Sequence, residues 1–398
     1  MNAPSKHMDG PVVIAAGGTG GHLFPGQALA QELRRRGRHI VLLTDERVQH
    51  FDTLFPNADI FAVPAATPSG KGAMGMVRAL PTILAGISQS IGILARVKPS
   101  VLIGFGGYPT LPPVVAARLR GIPTCIHEQN AVLGRVNRLV AGHVRAIAST
   151  FDNPKFLKPG DAYKLVVTGN PVRDAVMAQA DMPYARPGDI GPVNLLVFGG
   201  SQGARVMSDT VPGALAKLPE ILRTRLRVVQ QCRVEDLKRV GDLYAKAGIK
   251  AELSNFFDDM PSRIAASHLV IGRSGASTVS ELSVIGRPSI LVPLPHSIDN
   301  DQKTNAQKIS DAGAAWMIEQ KDFTEAALAG KLQALLGAPQ TLAEAAAAAK
   351  SQGRPQAVKL LADLVERLAR GERLTRAARV THDKTGDNRL LKFAGGAC

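Results

Sequence analysis

The sequence predicts an α/β protein of two domains, each a parallel sheet covered by crossover helices. Three observations carry that prediction. Short β-branched runs alternate with longer helical patterns through most of the chain. Glycine-rich turns follow strands twice in each half, and a segment rich in proline and glycine, 182–188, separates the halves. The 398 residues, at ~150 per domain, make two or three domains.

In the first half, strands are read at 12–16, 39–44, 60–63, 101–105, 124–127, 146–148 and 165–168. Leu80, Ile83, Leu84, Ile87, Ile91 and Leu94 recur at helical spacing, with Lys71, Arg78, Arg96 and Lys98 at the flanks. This stripe is either core or, with the flexible loop 70–76 before it, an interfacial membrane patch. After Gly169-Asn170-Pro171 and the linker the pattern restarts. Strands follow at 194–198, 227–231, 269–271 and 289–292, with a weaker one near 315–318. A last helix over 355–370 places Val358, Leu361, Ala362, Val365 and Leu368 on one face, which can pack back on the first domain. The domains therefore read as 1–172 with that helix, then 173–354, and 371–398 as a poorly ordered basic tail.

A content of 45% hydrophobic and 20% charged residues gives no support to wholesale disorder or a coiled coil. The net charge of +15 favours polyanions, diphosphates or an anionic membrane face. Nucleic acid is not expected as a partner, since four tyrosines, one tryptophan and no recognisable binding module speak against it. Cys125, Cys232 and Cys398 are odd in number and far apart, which suits a reducing compartment and offers neither a disulfide framework nor a zinc spacing. The apolar run 12–16 is too short for a signal peptide. The best candidate for a membrane span, 80–97, is interrupted by Ser88, Gln89 and Ser90, so membrane contact is expected to be peripheral.

The chemistry is expected at the glycine turns. Gly17 to His22 and Gly104 to Tyr108 lie in the first half; Gly199 to Gly203 and Gly272 to Gly275 lie in the second. Each follows a strand, and ligands of open α/β sheets bind beyond the carboxyl ends of strands. Backbone amides freed there and aligned at a helix start bind phosphate, although a tight connection alone also needs glycine. A dinucleotide fingerprint with Asp45 as ribose acid fails at its third glycine, where Leu23 stands, and no Walker lysine motif is present. Arg273 to Thr278 leads into a helix whose first turn has hydroxyls and free amides for a diphosphate. Glu281 either accepts from a ribose or complements the helix dipole. His22 ends a glycine turn at a helix start, where the positive dipole end disfavours imidazolium and a neutral base is available. His127-Glu128-Gln129-Asn130 places four polar side chains after an apolar strand, so they hydrogen-bond a ligand or each other, and they are expected to line the cleft. Asp299-Asn300-Asp301 has the D-x-D spacing of a divalent metal site, but a helix-start role without metal is preferred, and no cofactor is expected.

These motifs, with Gly106-Gly107-Tyr108, Gly169 to Arg173 and Gly199 to Arg205, closely resemble those of the MurG family of bacterial N-acetylglucosaminyltransferases, in order from about 12 to 370. The resemblance implies the GT-B fold, two Rossmann-like domains facing across a cleft, with the C-terminal helix crossing back to the first. It implies transfer of N-acetylglucosamine (GlcNAc) from UDP-GlcNAc to the 4-hydroxyl of the muramoyl sugar (MurNAc) of lipid I, the undecaprenyl-diphosphate-linked muramoyl-pentapeptide, giving lipid II with inversion. By resemblance Phe257 meets the uracil, Glu281 the ribose, Ser201 with Ala276, Ser277 and Thr278 the diphosphate, and Gln302 the sugar. Thr19, Gly20, Gly21, Asn130 and Arg173 complete the donor site from the first domain. His22 is the expected base, with Glu128 second. The chain departs from the family in carrying Asp301-Gln302 where a Gln pair is common, and Ser277 where a Leu is. The expected place is the cytoplasmic side of the inner membrane, held peripherally. A non-hydrolysing UDP-GlcNAc epimerase of the same fold is the enzyme alternative; a solute-binding protein would need an export signal.

Overall fold

A strand buried on both faces reads as a continuous apolar run, because helices cover both sides of a parallel sheet. The computed structural model contains two such sheets and describes residues 10–18, 20–45, 54–67, 73–200, 204–374 and the backbone of 393–394. The chain divides into two units, one running to Arg173 and resuming at Gln356, the other spanning Asp174–Pro355.

The first unit has seven parallel strands in the order β3-β2-β1-β4-β5-β6-β7. They are β1 (Val12–Ala15), β2 (Ile40–Thr44), β3 (Asp59–Ala62), β4 (Val101–Gly104), β5 (Thr124–Glu128), β6 (Ala146–Ser149) and β7 (Leu165–Val167). Strand order reverses between β1 and β4, where Val12 pairs with both Ile40 and Val101. The turns that leave these two strands therefore diverge and open a crevice. On one sheet face Ile14, Leu42 and Ile103 pack against α1 (Gly20–Arg35) and the last helix, Ala357–Ala369. Leu361, Val365 and Leu368 of that helix are fully buried, and Arg36, in the turn after α1, reaches Asp363 at 2.6 Å and Glu366 at 2.9 Å. On the other face Val13, Leu43 and Leu102 pack with α2 (Ala73–Val97) and α3 (Leu111–Leu119).

The expected α2 stripe is only partly core. Ile83 and Leu94 are buried and Ile87 and Ile91 half-buried, but Leu80 and Leu84 are exposed, with Val77 beside them 62% exposed. Val77–Val97 is also long and apolar enough to cross a membrane by length and composition, so Ser88 to Ser90 do not interrupt it as expected. Its inner face is packed in the unit: Ser90 is buried, and a Cβ at Gly86 would lie 2.1 Å from the carbonyl oxygen of Pro64.

The second unit has six parallel strands in the order β10-β9-β8-β11-β12-β13. These are β8 (Val193–Phe198), β9 (Leu226–Gln231), β10 (Lys250–Ser254), β11 (Leu269–Gly272), β12 (Ser289–Leu291) and β13 (Ala315–Met317). The strand β10 was not expected. Its Lys250, Ala251 and Glu252 are exposed at the sheet edge, only Leu253 packs on the core, and the strand has no β-branched residue; edge strands keep such charges to block further pairing. The 182–188 segment is bound down in this unit. Buried Arg287 donates to the carbonyls of Met182 and Pro183 at 3.3 and 3.2 Å and of Ala265 at 2.6 Å, while the Tyr184 hydroxyl donates to the His268 carbonyl at 2.9 Å. In the expected tail, Arg373–Leu374 pairs antiparallel with Phe393–Ala394; residues 375–392 and 395–398 lie outside the described residues.

Candidate active site

In the first unit the turns after β1, β4 and β5 carry the polar side chains. Gly17 admits no Cβ, which would lie 2.9 Å from an Asp45 carboxylate oxygen, so the ribose acid of a dinucleotide site is packed against the turn itself. Gly20 opens α1, followed by exposed Gly21 and half-buried His22. The imidazole lies over Gly106 and Gly107, whose φ values are +84° and +76°. A Cβ on Gly107 would come within 3.3 and 3.4 Å of His22 Cδ2 and Nε2. Glycine is needed there for conformation and for the ring. Thr19 lies outside the described residues.

The four polar residues after β5 mostly face inward rather than lining an open site. His127, Glu128 and Gln129 are at most 1% exposed; Asn130 is half-buried. Burial of polar groups demands partners, and the local chain supplies most of them. Glu128 Oε1 accepts from the Asn130 N–H at 3.0 Å, and Oε2 accepts from the Gly134 N–H at 2.7 Å and Asn137 Nδ2 at 2.9 Å. Burial pushes its carboxyl up, against the pull of those donors. Glu128, second candidate for the base, thus clamps the loop from 130 to 137, and of the two candidates His22 is the one that reaches the surface. His127 lies against Phe105, ring centroids 5.4 Å apart, and shares a 3.0 Å bond with the Gly169 carbonyl. Burial pushes this imidazole down to about 4, so it is neutral and donates from Nε2. Gln129 bonds His22 Nδ1 at 3.3 Å, a contact that sequence spacing does not reveal because it spans 107 positions. Arg173 stacks on the Phe24 ring, with its guanidinium carbon 4.5 Å from the centroid.

In the second unit the turn after β11 leads into α4 (Ala276–Ile285), capped by Gly275 in extended conformation. A Cβ at Gly275 would meet no atom of the described residues within 4 Å, so on that side the helix start is not covered by them. Arg273 donates to the carbonyls of Val292 and Pro293 at 3.1 and 3.0 Å and to Gln320 Oε1 at 2.6 Å. These acceptors are neutral, and burial pulls the guanidinium down from its ordinary value. Ser274 Oγ donates to the Gln302 carbonyl at 2.9 Å, and Asn305 Nδ2 to the Ser274 carbonyl at 3.2 Å, which ties the turn to α5 (Asp301–Asp311). Ala276 is buried, Ser277 and Thr278 half-buried, and Glu281 is 8% exposed in the second turn of α4. Gln302 Oε1 accepts from the Leu294 N–H at 3.1 Å, which leaves its amide nitrogen as the donating end.

Asp299 and Asn300 have φ of +55° and +57°, and α5 begins at Asp301, whose carboxylate accepts the Gln302 N–H at 2.6 Å. The D-x-D segment is thus a left-handed turn into a helix start, and no cluster of three metal-ligating side chains occurs among the described residues. Phe257 is buried, with the Arg263 guanidinium 4.1 Å from its ring centroid, while Phe256 is 58% exposed. Gly199 admits no Cβ, which would lie 2.2 Å from the Ala204 amide nitrogen; Ser201 lies outside the described residues.

Residues 12–149 match the N-terminal domain of glycosyltransferase family 28, and residues 194–361 match its C-terminal domain. The chain is 52% identical over 355 residues to the UDP-N-acetylglucosamine–N-acetylmuramyl-(pentapeptide) pyrophosphoryl-undecaprenol N-acetylglucosamine transferase of Methylobacterium sp. (strain 4-46), covering 89% of this chain and 95% of that protein. It is 50% identical over 367 residues to the protein of the same name from Allorhizobium ampelinum, covering 92% and 97%. The crystal structure of Acinetobacter baumannii MurG is similar with a TM-score of 0.73 and 29% identity, covering 90% of this chain and 99% of that one.

Proposed function

The chain belongs to glycosyltransferase family 28, and on that premise we propose that it transfers GlcNAc from UDP-GlcNAc to the 4-hydroxyl of MurNAc-pentapeptide on undecaprenyl diphosphate, making lipid II from lipid I. The acceptor oxygen attacks the anomeric carbon as the bond to UDP breaks, and the new linkage is β(1→4). A base must take the hydroxyl proton, and preorganised donors must stabilise charge on the departing diphosphate.

The observation that carries this reading is the turn after β11. It presents a helix start whose Gly275 side is clear of the described residues, and the buried Arg273 charge held only by neutral groups among them. In water-excluded surroundings such fixed positive groups act strongly on a developing anion. The second unit is accordingly the donor domain: Ser201, Ala276, Ser277 and Thr278 at the diphosphate, Glu281 at the ribose, Phe257 at the uracil and Gln302 at the sugar. The first unit is the acceptor domain, with His22 as base; a donor role for Thr19, Gly20, Gly21, Asn130 and Arg173 is what the family resemblance implies. No residue role requires a metal. The exposed Val77, Leu80 and Leu84 with Arg78, near the start of α2, form a patch for the anionic cytoplasmic membrane face that carries the acceptor, while Arg96 and Lys98 lie at the far end of the helix.

Incubation with labelled UDP-GlcNAc and a lipid I analogue tests the reading. Label should appear in a disaccharide-lipid only when the acceptor is present. Conversion of UDP-GlcNAc to its 2-epimer without acceptor would overturn it in favour of the epimerase.

A further inference from the structure

We propose that Gln129 is the positioning residue that fixes the tautomer of His22, so that Nε2 is the atom presented to the acceptor hydroxyl. The proposal rests on the reading of His22 as base and identifies how that base is set.

The argument is one of forced donors. Gln129 is 1% exposed, and its side-chain nitrogen lies 2.9 Å from the Phe105 carbonyl and 3.4 Å from the His127 carbonyl. Both carbonyls only accept, so the amide nitrogen must face them and the orientation of the amide is settled. The amide oxygen then faces His22 Nδ1 at 3.3 Å, and it too can only accept. His22 Nδ1 must therefore carry the proton in the neutral ring, and the lone pair resides on Nε2. Phe105 and His127 are fully buried at the ends of β4 and β5, so the anchors of this relay belong to the sheet. Gly106 and Gly107 pass beneath the ring, where a Cβ on Gly107 would come within 3.4 Å of Nε2. Without Gln129 nothing in this chain of bonds selects Nδ1–H, and the other tautomer would point a proton where the base must accept one.

The test begins with nitrogen-15 histidine spectra of the full-length protein above the ~6.5 of a free imidazole. The His22 signals, assigned by their loss in His22→Ala, should show a protonated Nδ1 and an unprotonated Nε2. In Gln129→Leu the Nδ1–H form should give way to Nε2–H. Its kcat should fall roughly 10- to 100-fold, part of the ~100- to 10,000-fold of a general base, with donor KM unchanged. Gln129→Glu keeps an acceptor oxygen toward Nδ1, so it should retain the tautomer. A wild-type spectrum with Nε2–H at His22 overturns the proposal, as does Gln129→Leu with unchanged tautomer and kcat. Should Gln129→Leu not fold, the wild-type spectrum and Gln129→Glu still decide. Near-normal kcat in His22→Ala would instead defeat His22 as base while leaving the tautomer measurement, which needs no turnover, to be judged separately.

Discussion

Burial removes water from the charged form of His127 and pushes its pKa down to about 4, so the ring is neutral at pH 7. An unfolded chain binds that proton near ~6.5, so the stability His127 contributes is full above that pH and is lost as pH falls toward its folded value. Wild type should lose about 2 kcal/mol more than His127→Asn between about pH 7.5 and pH 5, measured by urea unfolding. Glu128, pushed up by burial, acts in the opposite direction, but it is common to both proteins and cancels. Gly107 gives a second expectation. Alanine there must sit at φ +76° with its Cβ 3.3 Å from the His22 ring, so Gly107→Ala should displace the imidazole. A loss in kcat of at least about 10-fold with unchanged UDP affinity is expected, within what a misplaced base costs. His22→Ala itself should lower kcat ~100- to 10,000-fold and leave UDP affinity nearly unchanged by calorimetry.

The element that most divides packing from function is α2. Ile87 is half-buried, so a charge there would mix unfolding with any effect on membrane binding; Leu84 is 55% exposed and separates them. Leu84→Glu should weaken binding to anionic vesicles in sedimentation while leaving the melting temperature and UDP binding as they were. A lost fold would place Leu84 in the core instead. Most strands were legible because β1, β2 and β4 are unbroken apolar runs, as buried parallel strands must be. The edge strand β10 was not, since its five residues Lys250 to Ser254 hold no β-branched side chain and only Leu253 packs on the core. At the site, the glycines before His22 and Ala276 were legible as turns. That His127 to Gln129 turn inward was not, because their partners Gly169, Asn137 and Phe105 are 42, 9 and 24 positions away. Spacing records a strand's end but not which distant carbonyls close over it.

For the whole molecule, each unit has its own core, and the single tryptophan, Trp316, packs against that of the second unit. Its fluorescence therefore reports unfolding of that unit. If UDP binds there, ligand at 100 times its Kd should stabilise the tryptophan-reported transition by about 2.7 kcal/mol. An equal shift seen only by probes in the first unit would contradict the donor assignment.

The closure of the first unit by Ala357–Ala369 also sets an order of events during synthesis. The ribosome releases α1 more than three hundred residues before the helix that buries its apolar face, a wait on the order of tens of seconds at ~5–20 residues per second. Everything the second unit needs emerges in between, so the later half matures first and the earlier half is finished by the end of the chain. A nascent protein stopped at Pro355 should accordingly resist protease over 174–355 and bind UDP while its first 173 residues are digested.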